Sequence, residues 1–473
     1  MSRTPDTARS RPLIIGAMVR TLGAYPSGWR HPDAHAEPGR DAEVLRRIGR
    51  LADEADLDYL FFGDWLATGP DLEFRDPYLL ARIDPLSAVT FLAGITERVG
   101  LIATVNTTYA DAYTLARAAA SVDVLSSGRA GINVVTGAEP RAAGNHGRDA
   151  HADNETRYDR AEEFVRTVRA LWDSWDEDAW VADKSGGRLI DPAGLHSADA
   201  EGAHIRVTGP LNTARPPQGH LPIVHAGTSP RSRALAAGLA DLALVAPADL
   251  ASAQHVRAQL RADAAAAGRH PDDLRVIAPI LPVVAATRAE AQGIVDTLLA
   301  LVPVDEGQGA ALPAAFPDTR SLAAVAPVLG VEVAASTPLD EPVPAAVAAR
   351  FTDAGAHLVR LVTERTGRRV GGERPVTWRH LVVTHAVPAA FVVGDAVDVA
   401  DHIERWFTSG AVDGFNVLSA FQPGQFEAFT ALVVPELRRR GLLAPISAAP
   451  STLRDRLALA PAVPTRRAAR SIA

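Results

Sequence analysis

The sequence predicts an α/β chain folded as a TIM (β/α) barrel, and three observations carry that expectation. Eight short apolar runs recur along the chain, and most are continuous rather than alternating, as strands buried on both faces are. Between them lie segments with apolar spacing of about 3.6, so strand and helix alternate and the sheet should be parallel. Eight such units can close a barrel, which carries its functional groups at the carboxyl ends of the strands. A doubly wound open sheet is the structural alternative.

In chain order the predicted strands are 13–17, 59–63, 101–106, 131–136, 222–226, 242–245, 276–284 and 414–418. After the first strand, Val44, Leu45, Ile48, Leu51, Ala52 and Ala55 fall at offsets of 1, 4, 7, 8 and 11, one face of a helix. After the fourth, Tyr158, Ala161, Phe164, Val168, Leu171, Trp172 and Trp175 do the same. The regular spacing fails twice, at 137–220 and 301–380. Long excursions build lids or oligomer contacts, and these two are expected to be insertions that cover the barrel mouth. Residues 1–11 and 459–473, rich in Arg, Ser, Pro and Ala, read as flexible tails, leaving 12–458 as one domain.

Composition removes several functions. With 48 basic and 56 acidic residues the net charge is −8, which does not suit phosphate-backbone binding. Cysteine is absent, so disulfides, thiolate nucleophiles and Cys-ligated metals are excluded. Only one lysine occurs, Lys184, outside every predicted strand; a Schiff-base aldolase would need it at a strand end. No apolar run approaches the ~18 residues that span a bilayer, and a cytoplasmic protein is expected.

Polar residues at the ends of predicted strands are the candidates for chemistry. Asp64 follows the second strand; Thr104 and Asn106 lie in the third, Asn133 and Thr136 in the fourth. Asp64 is equally explained as an N-cap or loop residue, and the strand residues taken alone are more often bonded core polar groups. Gly227-Thr228-Ser229-Pro230 follows the fifth strand and opens a helix, an arrangement that binds an anion or merely caps the helix. His31, in the loop after the first strand, is the candidate general base or substrate contact. His146 and His151 lack a carboxylate–histidine motif with metal-ligand spacing, so no metal site is expected.

Taken together, Gly128-Arg-Ala-Gly-Ile-Asn133-Val-Val-Thr136, Asn145-His-Gly147-Arg-Asp, Thr156-Arg-Tyr158-Asp-Arg-Ala-Glu-Glu-Phe164, Leu171-Trp-Asp-Ser-Trp175, Gly209-Pro-Leu-Asn212 through Pro216-Pro-Gln-Gly219, Ala226-Gly-Thr-Ser229, Asp413-Gly-Phe-Asn416 and Val434-Pro-Glu-Leu-Arg-Arg-Arg-Gly441 resemble the nitrilotriacetate and dibenzothiophene-sulfone monooxygenase branch of the bacterial luciferase-like flavin monooxygenases. The resemblance runs from about residue 13 to 458 and is weakest between 301 and 380. It implies a two-component enzyme that takes reduced FMN as cosubstrate from a separate NAD(P)H-dependent flavin reductase. Through a flavin C4a-(hydro)peroxide, one atom of dioxygen would reach a small organic substrate, with no nucleic acid or membrane involved. It also implies a homo-oligomer, because relatives commonly pair barrels through external helices.

Residue by residue, the resemblance places Asp64, Thr104, Asn133 and Thr136 in the flavin pocket. Asn154 and Tyr158 would stand near the flavin's polar tail, and Gly227, Thr228 and Ser229 in the phosphate-binding turn. The chain departs from the pattern at Asn154 (commonly His), Gly137 (Ser), Ile132 (Trp) and His225 (Gln), and the changes at 132 and 225 are expected to reshape the pocket. Two other readings remain at this point: a deazaflavin-dependent oxidoreductase of the same superfamily, and a non-catalytic flavin-binding barrel.

Overall fold

The computed structural model describes residues 12–35, 37, 40–307, 311–334, 336–446 and 451–464, so the predicted tail at 1–11 and most of that at 459–473 lie outside the described residues. In chain order its strands are β1 (Ile14–Met18), β2 (Tyr59–Phe62), β3 (Gly100–Asn106), β4 (Ala130–Val135), β5 (Trp180–Asp183), β6 (Arg188–Ile190), β7 (Ala200–Glu201), β8 (Arg206–Val207), β9 (Ile223–Ala226), β10 (Leu242–Leu244), β11 (Arg275–Val284), β12 (Phe391–Gly394) and β13 (Gly414–Val417). Eight of them, in the order β1-β2-β3-β4-β9-β10-β11-β13, are parallel neighbours, and β13 pairs back onto β1. The barrel is closed, as expected, and all eight predicted runs lie in it. No helix among the described residues is long and apolar enough to cross a membrane.

Closure makes each strand two-sided. Ile14, Tyr59, Phe61, Ile102, Val224, Leu242 and Ile277 form one cluster inside the barrel. Their sequence neighbours Leu13, Ile15, Leu60, Leu101, Ala103, Ile223, Ala243 and Val276 pack outward under the helices. Both faces are therefore apolar, which is why the runs read as continuous. Parity then sends Gly16, Thr104, Asn133 and Asn416 into the bore, with Gly16 opposite Asn416 and Thr104 opposite Asn133. A Cβ on Gly16 would fall 2.1 Å from the Tyr59 ring, so glycine there admits the tyrosine.

The barrel floor is closed by the chain's own end. Leu453 and Leu457 join the interior cluster from the short helix Leu453–Arg456, capped by Thr452. Gly100 and Gly131 leave the room: a Cβ on either would stand 2.4 or 3.0 Å from Leu453.

Three sequence expectations need correction. The helix Asn154–Trp172 packs against the helices Ala112–Leu125 and Pro230–Leu239, so it belongs to the regular outer ring. The end of the 137–220 excursion does not reach the mouth: Gln218 bonds Asp123 and the carbonyl of Ala130 at the start of β4, and His220 accepts from Arg454 at the floor. Finally, β12 was not expected, nor were the hairpins β5–β6 and β7–β8. The hairpin strands are mostly exposed and so carry no apolar signature.

The strand β12 explains the 301–380 excursion. The ten-residue β11 spends its first half in the barrel, and its second half pairs Leu281–Val284 with Phe391–Gly394. Pro279 falls where β10 has ended, at Leu244↔Ile277, and β12 has not begun, so its missing N–H costs no ladder bond there. On this overhang sits a second core, built by the helices Arg288–Ala300, Leu322–Leu329, Asp353–Thr366 and Trp378–Ala386.

Candidate active site

Toward its carboxyl end the bore becomes polar. Asn133 Nδ2 donates to Thr104 Oγ1 at 2.9 Å, which satisfies one buried polar group with another. The other half of that amide, Oδ1, is buried with no partner, and so is Oδ1 of Asn416 on β13, the neighbour of β1 on the side away from β2. An unpaired buried acceptor costs ~1–3 kcal/mol, a cost that a ligand donating to it would remove. Asn416 was not singled out as a site residue from the sequence; its parity with Gly414 is the signal that finds it. Tyr59, whose buried hydroxyl is also unpartnered, follows by parity with Phe61.

The edge of the mouth beside β3 and β4 is tied together. Thr108 donates through Oγ1 to the carbonyl of Thr136 at 2.6 Å, and its N–H bonds Asn106 Oδ1 at 3.1 Å. Gly137 has φ +67, and a Cβ on it would lie 2.4 Å from Asn106 Nδ2. Glycine in place of serine therefore preserves this corner.

The turn after β9 is open. Ala226, Gly227, Thr228 and Ser229 are exposed, and Ser229 caps the helix Pro230–Leu239 by accepting from the N–H of Ser232 at 3.2 Å. Gly227 has φ +141, and a Cβ there would stand 2.3 Å from Ser232 Oγ, so no other residue keeps the turn this close. Behind it, the fully buried His225 bonds Val134 O at 2.8 Å and Ser232 Oγ at 2.9 Å. Burial lowers its pKa, only partly opposed by the carbonyl bond, so the ring is neutral, donates through Nδ1 and accepts through Nε2. His225 has outward parity and braces the turn, and Ile132 packs outward in the main core. Neither reshapes the pocket, contrary to expectation.

Tyr158 stands next to this turn. Its ring meets His225 at 6.1 Å and lies 5.7 Å from the Arg231 guanidinium. Arg231 is held by Glu155 and Asp159 from the same helix as Tyr158. Asn154 is the exposed first residue of that helix, one turn before Tyr158 and on the same face; its Oδ1 accepts from Arg157. The helix cap is Asp153, which accepts from Thr156.

Across the mouth, Asp64 accepts from the N–H of Trp65 at 2.8 Å and faces Arg82 at 4.0 Å. Burial raises its carboxyl pKa, against the pull of that N–H and of Arg82. His31 is buried in the loop after β1 and stacks on Phe421 with ring centroids 4.0 Å apart. Its Nδ1 accepts from the N–H of Asp33 at 3.2 Å. A hydrogen bond joins Thr104 to Asn133, ring contact sets Tyr158 beside His225, whose bond to Ser232 lies behind the 227–229 turn, and His31 stacks on the loop after β13. His146 and His151 meet at Tyr109, which stacks on the first at 4.2 Å and bonds Nδ1 of the second at 2.8 Å.

These groups fit a phosphorylated heteroaromatic cofactor. The open Gly-Thr-Ser turn at a helix N-terminus suits a phosphate, and the unpartnered Asn133 Oδ1 suits an N–H of a heteroaromatic ring.

Residues 26–413 match the family described as Luciferase-like monooxygenase. The chain is 32% identical to N-acetyl-S-(2-succino)cysteine monooxygenase of Bacillus subtilis, covering 92% of this chain and 94% of that protein. It is 34% identical to nitrilotriacetate monooxygenase component A of Aminobacter aminovorans, over 95% of this chain and 97% of the relative. The crystal structure of DmoA from Hyphomicrobium sulfonivorans superposes with a TM-score of 0.75 at 26% identity, covering 94% and 92% of the two chains.

Proposed function

Because the chain belongs to the luciferase-like monooxygenase family and is a flavin-dependent monooxygenase, we propose that its flavin is reduced FMN, delivered by a separate NAD(P)H-dependent reductase. The observation that carries this reading is one mouth holding both an open anion turn at 227–229 and a buried acceptor, Asn133 Oδ1, that lacks a partner. A nicotinamide-dependent reductase is invoked because a relative is named as component A of its monooxygenase.

Bound reduced FMN would supply the electrons and activate dioxygen; the chain's task is placement and exclusion of water. Gly227, whose N–H bonds the carbonyl of Leu244, lets the phosphate approach closely, and Thr228 and Ser229 hold it through backbone N–H groups and hydroxyls, with His225 and Ser232 keeping the turn rigid. Asn133, oriented by Thr104, accepts from the ring, and Asp64 and Thr136 complete the pocket wall. Tyr158 and Asn154 flank the phosphate tail. His31, neutral because burial lowers its pKa despite Asp33, offers an Nε2–H to the substrate. The assembly is a cytoplasmic homo-oligomer, checked by light scattering of the eluted protein.

Oxygen uptake with reduced FMN, a generic flavin reductase and a panel of amines, sulfones and thioethers tests the reaction. Substrate-linked uptake is expected; uptake indifferent to every compound would favour a flavin-binding barrel without turnover. Thr228→Ala combined with Ser229→Ala should weaken FMN binding at least tenfold in a fluorescence-quenching titration, and equal affinity would remove the turn from the site.

A further inference from the structure

The second core contains a polar group that an apolar core should not tolerate. Tyr25, in the loop after β1, is 2% exposed, and its hydroxyl has no hydrogen-bond partner. Its ring packs on Phe391 of β12 with centroids 5.1 Å apart, and the Arg365 guanidinium lies 5.8 Å from the centroid of the same Phe391 ring. Arg320, 3% exposed, is the second cation that acts on this hydroxyl. One nitrogen of Arg320 bonds the carbonyl of Phe74 in the loop after β2, while Nη1 is buried and unpartnered.

Charge is unbalanced here. In the mouth Arg82 faces Asp64, but among the described residues the titratable groups that act on Arg320 and Arg365 are Tyr25 and, for Arg365, Glu364 on its own helix. Among the described residues Arg365 makes no hydrogen bond or ion pair. Guanidinium groups only donate, and the one acceptor among these three side chains, the phenol oxygen of Tyr25, takes no bond from either arginine, so the cluster has many more donors than acceptors. The buried charge of Arg320 is costly in that position unless an anion joins it, while the half-buried Arg365 leaves the cluster a way to the surface.

The place is also informative. Tyr25 belongs to the rim after β1, Phe74 to the rim after β2, and Arg320 and Arg365 to the 301–380 insertion. Ser27 Oγ and Arg30, on either side of the same rim turn, bond the carbonyls of Leu298 and Leu301. The cluster thus lies in the seam where the insertion meets the mouth.

We propose that Tyr25, Arg320 and Arg365 form an oxyanion subsite that binds a carboxylate carried by the substrate. This rests on the reading of the mouth as a monooxygenase site, and it narrows the substrate class to carboxylate-bearing small molecules. Planar forks on two arginines match carboxylate geometry, and the phenol supplies a third donor.

Isothermal titration of the flavin-free protein with nitrilotriacetate and with succinate, and in parallel with inorganic sulfate, tests the subsite without turnover. Saturable binding of at least one carboxylate is expected, weakened tenfold or more by Arg365→Gln and by Tyr25→Phe. Both variants should keep the wild-type melting temperature, since neither residue has a polar partner to lose. Carboxylate binding unchanged in both variants, no saturable carboxylate binding, or sulfate binding at least as tight as the carboxylates would each overturn the proposal, the last by marking a site for free ions. Both variants should also bind FMN as the wild type does. If FMN fails to bind the wild-type protein, the function proposed above falls, whereas the titration still decides the subsite.

Discussion

At His31 two effects act on one ring. Burial against Phe421 lowers its pKa, and the N–H of Asp33 occupies Nδ1, which leaves a neutral imidazole with its proton on Nε2. Replacing His31 with Ala should reduce turnover roughly tenfold or more while FMN affinity stays the same; unaltered turnover would remove the residue from the reaction. His402 shows the same physics away from the mouth. Stacked on Trp406 at 5.3 Å, it is pushed down from 6.5 to about 4, first by burial and then by Arg405. Its folded pKa lies below its unfolded one, so its contribution to stability is present above pH 6.5 and is lost as pH falls from about 6.5 to about 4. After discounting for its partial exposure this amounts to about 1–2 kcal/mol. His402→Phe should flatten that part of the stability profile in denaturant titrations across the window, and an unchanged slope would contradict the assignment.

Among the elements, the short helix Leu453–Arg456 shows how a few residues can complete a barrel. It buries Leu453 completely in the bore, where Gly100 and Gly131 give it space. Leu453→Ala should cost about 2–5 kcal/mol, read as a lower denaturation midpoint, with FMN affinity unchanged because the floor is the end opposite the mouth. A neutral effect would mean that the helix does not plug the barrel. The outer-ring helix 41–54 was readable from spacing because its buried residues Val44, Leu45, Ile48 and Ala52 repeat at the helical period. The strand β12 was not, since four residues with mixed burial carry too little pattern to separate a strand from a helix turn.

Among the described residues the apolar clusters divide between the barrel, inside and outside its sheet, and a second core beneath the insertion, joined through the continuous strand β11. The second core is smaller and mostly helical, so it should open with a lower free energy. Hydrogen exchange read by mass spectrometry is expected to show the helices Leu322–Leu329 and Asp353–Thr366 exchanging before β2 and β3. Equal protection of both would indicate a single cooperative unit.

Periodicity in the sequence alone was enough for the barrel, for the positions of Thr104 and Asn133 on their strands, for the turn at 227–229 after its strand and for the helix that carries Tyr158, because those signals depend only on neighbours a few residues apart. The roles of His225, Ile132, Asn416 and Tyr25 came from tertiary contacts. Which way a strand residue faces depends on closure between β1 and β13, and whether a buried hydroxyl or amide oxygen finds a partner depends on segments hundreds of residues away. Local pattern carries neither.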